Sequence, residues 1–444
     1  MKSTDESLRK AFLPAQLALK YHPFYRGKIE MVPKCPIRSF DDFAIWYTPG
    51  VAEACEAIKN RPEAVFENTN KWNTVAIITD GTRVLGLGDI GPEAGLPVME
   101  GKSLLYKYLG GVDAFPICLG TKNPDEIISA VRWIQPSFGG INLEDIAQPK
   151  CFEILDTLQG QLNIPVWHDD QQGTATVVLA GFLNALKVVG KKIAEVKISM
   201  VGAGAANVAI ARLLILAGAK PGNMIMQDSK GTLHKNRKDL EGISPKKYEL
   251  SQITNSEGRV GGTEVALEGA DACIAMSRPG PGVLTEKDVA RMSSQAIVFA
   301  CANPIPEIWP WEAEKAGAVV VATGRSDFPN QVNNSLGFPA IFRGTLDVRA
   351  RTITDEMCLA ASHELAQLAE ERGLSAKSII PTMDDWEVFP REATAVAEKA
   401  IEQGVARVKR TRQELYESAR SIIKRAREQA RYLMRSGFIQ EFPT

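Results

Sequence analysis

The sequence lacks most of what marks a membrane, secreted or nucleic-acid-holding protein. No window of about 18 uncharged apolar residues occurs, which excludes a transmembrane helix. The opening stretch MKSTDESLRKAF holds acids and no apolar run, so a secretory signal is not expected. Net charge is almost nil, 52 Lys and Arg against 53 Asp and Glu. That balance argues against a protein whose main work is holding nucleic acid through its phosphates. Seven cysteines are scattered along the chain without one C-x-x-C pair. A disulfide framework or zinc cluster is thereby disfavoured, and reduced, mostly buried thiols in a cytoplasmic protein are expected. There is also no low-complexity run and no internal repeat. What is present is ordinary globular material: 444 residues, 45% hydrophobic and 24% charged. That length exceeds a single usual domain and leaves ample apolar surface for more than one core.

The first 70 or so residues mix short helical patterns with breakers at Pro23, Pro33, Pro36, Pro49 and Pro62. From Thr74 the pattern changes. TVAIITDGTRVLGLGDIG predicts a strand, glycine-rich turns and a second short strand. GKSLLYKYLGG then predicts a helix, GVDAFPICL a buried strand, and NPDEIISAVRWIQ a helix with acids in its first turn. SFGGINLEDI and IPVWHDD read as strands that end in acids, with the helix QPKCFEILDTLQ between them. Strands alternating with helices indicate a parallel α/β sheet. A long helix, TATVVLAGFLNALKVVG, leads to a second α/β unit carrying the apolar strands KISMV, NMIMQD, ACIAMS, AIVFACAN and AVVVATG. From about Thr354 the chain reads as helical. Residues 401–444 hold ten Lys and Arg against five Asp and Glu. In a neutral chain, that basic segment reads as a solvated face or a subunit contact.

Three groups of residues carry chemistry. Gly202-Ala203-Gly204-Ala205-Ala206-Asn207 follows a strand and opens a helix. The first glycine permits a tight turn, the second lets backbone approach a pyrophosphate, and the helix N-terminus offers unpaired N–H groups. Asp228, at the end of the next strand, is placed to meet the adenosine ribose hydroxyls and favours NAD; Lys230, Lys235 and Arg237 nearby could instead neutralise the 2′-phosphate of NADP. Glu144-Asp145 and Asp169-Asp170 each follow an apolar run, where parallel sheets collect their ligand groups. Three or four carboxylates converging without nearby Cys or His describe a hard-cation site for Mg²⁺ or Mn²⁺. The bland alternative is N-capping of the helices that follow. Lys102 follows Gly101, but Pro97 and Val98 stand where a P-loop needs its upstream glycine, which disfavours kinase or ATPase chemistry. At a helix start, Lys102 would be repelled by the dipole, giving a lowered pKa suited to a general base.

Taken together, YTPGVA (47–52), TDGTRVLGLGDIG (79–91), Gly101-Lys102, GGINLEDI (139–146), HDDQQGTA (168–175), VGAGAAN (201–207), ANP (302–304) and FPNQVNNSLGFP (328–339) resemble the malic enzyme family in its short form. The matches run in the family's order across about two thirds of the chain. Gln172 departs from it, standing where the family often has His.

The resemblance implies Glu144, Asp145 and Asp170 as ligands of a divalent metal, Lys102 as general base, Tyr47 as acid, and Asp169 as the residue tuning the lysine. Arg83 would meet a substrate carboxylate, and Asn303 with Asn333, or its neighbour Asn334, would hold substrate. Gly202, Gly204, Ala205, Ala206, Asn207 and Asp228 would bind NAD or NADP. The implied fold has an N-terminal α/β catalytic domain over residues 1–171, a Rossmann-type dinucleotide domain over 172–345, and a helical C-terminal segment over 346–444 packing back on the core. The implied activity is metal-dependent oxidative decarboxylation of L-malate to pyruvate by a cytoplasmic homodimer or larger homo-oligomer. Two rivals stand beside it. An amino-acid dehydrogenase would use a similar glycine turn and lysine but needs no carboxylate metal site. A dinucleotide-binding regulator without turnover needs neither.

Overall fold

The computed structural model describes residues 2–443, with side chains from Leu13 onward. Two sheets form its frame. The first contains β1 (Thr74–Thr79), β2 (Asp113–Cys118), β3 (Gly140–Leu143) and β4 (Val166–His168), ordered β2-β1-β3-β4 and parallel throughout. All six residues of β1 are buried, as a central strand covered on both faces requires. The helices Pro92–Gly110, Pro124–Ile134 and Lys150–Gln161 make the crossovers. Asn123 starts the second of these, its side chain accepting from the Asp125 amide, with Asp125 and Glu126 in the first turn.

The second sheet contains β5 (Ile198–Val201), β6 (Met224–Asp228), β7 (Gly231–Thr232), β8 (Ala272–Ala275), β9 (Ala296–Ala300) and β10 (Ala318–Thr323). Its order is β10-β9-β8-β5-β6-β7, parallel except for the short antiparallel edge strand β7. Strand order reverses direction at β5, where β6 lies on one side and β8 on the other. In such sheets the crevice at the carboxyl ends of the strands at this switch point receives the ligand.

The buried helix Thr174–Val188 links the two lobes and packs on Ala205–Leu216 and Asp355–Glu371. Beyond β10 the chain returns. The helix Phe338–Asp347, buried along its whole length, lies against Pro92–Gly110 and Val388–Glu402. The terminal helix Arg412–Arg435 buries a single stripe, Leu415, Ala419, Ile423 and Ala426, and exposes most of its basic residues, while Arg420 and Arg427 lie over Trp386 and Tyr108. Among the described residues no helix is long and apolar enough to cross a membrane. All seven cysteines are free thiols, and Cys151, Cys273, Cys301 and Cys358 are buried.

Two local expectations fail. Residues 83–88 form a loop, not a second strand: Leu85 takes φ +47°, and the backbone folds on itself through a bridge between Val84 and Gly88. The helix that carries Lys102 starts ten residues earlier, at Pro92, and runs through Gly95, Pro97 and Gly101. Proline at a first helical turn and good packing outweigh these breakers. Lys102 therefore sits in mid-helix, and the dipole argument for its acidity does not apply.

Candidate active site

The carboxyl ends of both sheets face one cleft of about 740 Å³. From the first lobe it is lined by Arg83, Leu85, Lys102, Glu144, Asp145 and Asp170, and from the second by Gly202–Ala206, Asp228, Asn303, Asn333 and Asn334. Residues scattered over 250 positions thus meet where both strand sets terminate.

The loop after β1 is shaped by buried Asp80, which accepts from the Thr82 amide and hydroxyl and is ion-paired with Lys150. The Arg83 amide in turn donates to the Asp145 carbonyl at 2.9 Å, which sets the arginine at the cleft wall. Across the cleft, an added Cβ on Gly86 would stand 2.6 Å from the Asn303 carbonyl oxygen and 2.9 Å from Pro304 Cδ. Only glycine lets this loop touch the other lobe.

Lys102 is the hub of a buried network. Its Nζ donates to Glu144 Oε1 at 2.7 Å and is ion-paired with Asp169. The network extends from the Tyr106 hydroxyl to Asn142 Oδ1, from Asn142 Nδ2 to Glu144 Oε2 (each 2.8 Å), and from Asn334 Nδ2 to Asp169 Oδ2. Trp167 Nε1 donates to the other Asp169 oxygen at 3.2 Å. Burial alone pulls the ammonium pKa down, but Asp169 and Glu144 outweigh it and hold the lysine above its ordinary value. The charge state expected from a helix start is thereby reversed. Asp169 belongs to a π-helical turn, Asp169–Gly173, and a Cβ on Gly173 would collide with its carboxylate.

Glu144, Asp145 and Asp170 each place one carboxylate oxygen within 4.8 Å of the others. Burial, then the neighbouring Asp170 charge, pushes Asp145 up to about 8. Burial likewise drives Glu144 well above the carboxylate range. Asp145 Oδ2 is buried without a hydrogen-bond partner. The N-capping alternative fails here, because the acids turn toward one another and no capping bond from Asp169 or Asp170 opens the helix that follows.

On the second lobe, Gly202 takes φ +93°, and a Cβ there would stand 2.7 Å from the Met276 carbonyl oxygen. Asn207, placed among the cofactor residues by sequence, instead turns its side chain inward. Its Nδ2 donates to the Gly202 carbonyl at 2.6 Å and braces the glycine turn from behind. Asp228 reaches the cleft but is gripped by Arg237, at 2.9 and 3.2 Å, and by the Lys230 amide at 2.9 Å. Asn333 uses its side-chain oxygen to accept from the Ser335 amide, while Asn334 reaches Asp169.

Tyr47 does not join the site. It is 71% exposed and contributes nothing to the cleft lining. Sequence reasoning also missed Asn142, Tyr106, Lys247 and Glu307. Glu307 is buried and accepts from the Ser277 amide at 2.8 Å and the Ala302 amide at 3.0 Å, tying together two loops of the cleft. A lone Glu among the prolines of ANPIPE was its one signal.

A switch-point glycine turn facing a carboxylate triad and a buried lysine across one cleft defines a two-lobed, dinucleotide-dependent oxidoreductase with a hard-cation site. The family patterns of the malic enzyme N-terminal domain and the malic enzyme NAD-binding domain match residues 26–159 and 171–401. The chain belongs to the malic enzyme family. It is 48% identical over 405 residues to the bifunctional malic/malolactic enzyme of Bacillus subtilis, covering 91% of this chain and 97% of that one. It is 50% identical over 381 residues to the NAD-dependent malic enzyme of Geobacillus stearothermophilus, covering 86% and 78%. The crystal structure of Entamoeba histolytica malic enzyme superposes with a TM-score of 0.97 at 49% identity, covering 100% of this chain and 93% of that one.

Proposed function

We propose that this chain oxidises L-malate to oxaloacetate, with reduction of NAD or NADP, and releases CO₂ to leave pyruvate. The observation that carries this reading is Lys102, bracketed by Glu144 and Asp169 in the same cleft as the Gly202 turn. The donor set fits a divalent cation. Three convergent carboxylates, one with a buried oxygen lacking any partner, form an uncompensated anionic site of all-oxygen chemistry.

Glu144, Asp145 and Asp170 would hold the ion, which when bound supplies Lewis-acid polarisation of substrate oxygens. The dinucleotide, held by Gly202–Ala206 and Asp228, supplies the oxidant. Lys102 takes the proton of the substrate hydroxyl. Engaging Glu144 as a ligand withdraws one of the two carboxylates that hold this lysine protonated, leaving Asp169 to orient the amine. Arg83 pairs with a substrate carboxylate, and Asn303 and Asn334 fix the substrate from the second lobe. The family resemblance would make Tyr47 the acid that returns a proton to C3 after CO₂ leaves, although its side chain lies outside the cleft of this chain. We keep the division into residues 1–171, 172–345 and 346–444, whose last boundary falls inside the helix Phe338–Asp347. The same reading makes it a cytoplasmic enzyme working as a homodimer or larger homo-oligomer. The test is an absorbance assay for reduced nicotinamide with L-malate, Mn²⁺ and NAD or NADP supplied separately. Absence of malate-dependent reduction with either cofactor overturns the reading.

A further inference from the structure

The π-helical turn Asp169–Gly173 serves two cavities, and the chemistry above uses one of them. Asp170 and Thr174 line the cleft, whereas Gln171, Gln172 and Ala175 line a second hollow of about 290 Å³. Residues about one turn apart share a face, and the residues between them point elsewhere. The hollow lies where Lys150–Gln161 of the first lobe, Ala205–Leu216 of the second and the start of Asp355–Glu371 meet. Arg212, Asp355 and Glu356 also line an adjoining trough of about 370 Å³, whose other wall is apolar and holds Val208, Ile215, Leu216 and Ile253. Hollow and trough form one groove. Among the described residues it shares no lining residue with the cleft.

Three parts of the groove carry different chemistry. At the floor, Gln171 is 3% exposed and its Nε2 has no hydrogen-bond partner. Gln172 beside it uses its Oε1 to accept from the His168 amide at 3.1 Å. A buried donor left unmet is costly, so the floor calls for an acceptor. Arg212 gives one guanidinium nitrogen to Asp355 at 2.7 Å and keeps further donors of its fork for a ligand. The mouth is acidic, with Asp156, Asp355 and Glu356 lining the hollow against Arg212. Asp355 is taken by Arg212, and Asp156 pairs with Lys246 at 3.0 Å. Glu356 accepts from the Gln403 side-chain amide at 3.1 Å and, among the described residues, has no ion pair. The third part is the trough, where Leu216 and Ile253 are exposed apolar side chains.

A simple carboxylate would meet more acids than cations here. A simple amine would leave the Gln171 amide and the Arg212 fork unanswered. A zwitterion with an apolar branch answers all three parts. We propose that this groove is a binding site for an α-amino acid with an apolar side chain. Its carboxylate meets Arg212 and the Gln171 amide, its ammonium meets Glu356, and its side chain enters the trough beside Val208, Ile215 and Leu216. Gln171 follows Asp170 directly in the chain, so the occupied groove braces the turn that also carries Asp169. The site stands independently of the malate-oxidising reading.

The experiment titrates L-leucine, 4-methylpentanoate and 3-methylbutylamine against the full chain by calorimetry and thermal shift. The last two are the leucine skeleton without its ammonium and without its carboxylate. L-Leucine is expected to bind saturably and raise the melting temperature, and each analogue to bind about tenfold or more weakly, as loss of a charged hydrogen bond implies. Arg212→Leu, Glu356→Gln and Leu216→Asp should each weaken L-leucine by a similar factor. Gln171→Met tests the floor, and the three exposed positions keep the proposal open to refutation should that variant fail to fold. Saturating NAD and L-malate should leave the Kd for L-leucine within the same order of magnitude. No saturable binding of L-leucine overturns the proposal. Equal binding of either analogue makes the groove a site for a plain acid or amine and overturns it too. Displacement by NAD or malate, with no effect of the groove variants, places L-leucine in the cleft and has the same consequence. A change of oligomeric state in Leu216→Asp, read by light scattering, assigns the trough to a second copy of the chain and likewise overturns it. None of these outcomes touches malate-dependent reduction of NAD or NADP, which its own assay decides.

Discussion

Lys102 Nζ and Asp169 form an ion pair closed off from water, with Glu144 Oε1 2.7 Å from the same nitrogen. Removing the cation leaves two buried carboxylates facing each other. Lys102→Ala is expected to lower malate turnover by about 10²–10⁴-fold, the usual contribution of a general base. It is also expected to cost about 3–5 kcal/mol of stability in metal-free protein, as breaking a buried pair does. Steady-state kinetics and denaturant unfolding read the two effects separately. A turnover loss below about tenfold with folding intact would remove Lys102 from the proton path.

Chelation should abolish turnover, and the cation should declare itself without any assay of activity. At a free Mn²⁺ concentration about 100 times its Kd, the folded state gains about 2.7 kcal/mol, visible as a higher melting temperature. Asp170→Asn deletes one of three anionic ligands, so the thermal shift should largely disappear and turnover should fall by orders of magnitude while dinucleotide binding, followed by fluorescence, persists. Undiminished turnover in EDTA would sink the metal assignment.

Gly86 tests how the lobes meet. Its missing Cβ would press on the Asn303 carbonyl and the Pro304 ring. Neither is the end of a flexible side chain, so the backbone must move. Gly86→Ala is expected to raise KM for malate severalfold with a smaller change in melting temperature, since the strain falls on the seam and not on either core. An unchanged KM would show that the loop yields freely.

The alternation of strands and helices, the glycine turn and the doubled acids were legible because each depends on local spacing. Every strand but the short edge strand β7 falls on an apolar run that predicts it. Two features were not legible. The start of the lysine helix at Pro92 depends on packing that lets Pro97 and Gly101 stay helical, which no local rule records. The inward turn of Asn207 depends on the Gly202 carbonyl behind it, so the side chain braces the phosphate loop and leaves the cleft to its neighbours. Tyr47 fails differently: its motif marks it clearly, but its side chain is 71% exposed and lies outside the cleft lining.

Glu307 gives a pH signature remote from the acids. Burial raises its pKa, and the Ser277 and Ala302 amides only partly offset this by favouring the charged form. The folded state therefore holds the proton more tightly than the unfolded chain. Its contribution to stability is greatest below the unfolded value of about 4.3 and declines as pH rises through the folded pKa. Glu307→Gln should flatten that part of the stability curve. The amide's own N–H would also face a backbone donor, leaving Ser277 or Ala302 unpaired at a cost of about 1–3 kcal/mol and raising KM for the dinucleotide. Unfolding measured across pH checks the slope; equal slopes in both proteins would contradict the assignment.

Asp228 is expected to decide between the two dinucleotides. Its carboxylate faces the cleft while Arg237 holds both its oxygens, and Lys247 lines the same wall. Burial lowers the Lys247 pKa, and the Asp228 charge partly restores it. A ribose with free hydroxyls can donate to Asp228, whereas a 2′-phosphate meets its negative charge. Asp228→Ala is therefore expected to weaken NAD by about 1–3 kcal/mol, the value of a hydrogen bond to a charged group. The same change releases Arg237 from one of its two acids, the other being Asp239 at 2.7 Å. With Lys247, the freed guanidinium supplies the positive charge a 2′-phosphate needs, so NADP should lose little or gain. Parallel KM and Kd measurements with the two cofactors read the ratio directly. An equal loss for both would assign Asp228 to holding the β6–β7 turn through Arg237 and Lys230, with no part in cofactor choice.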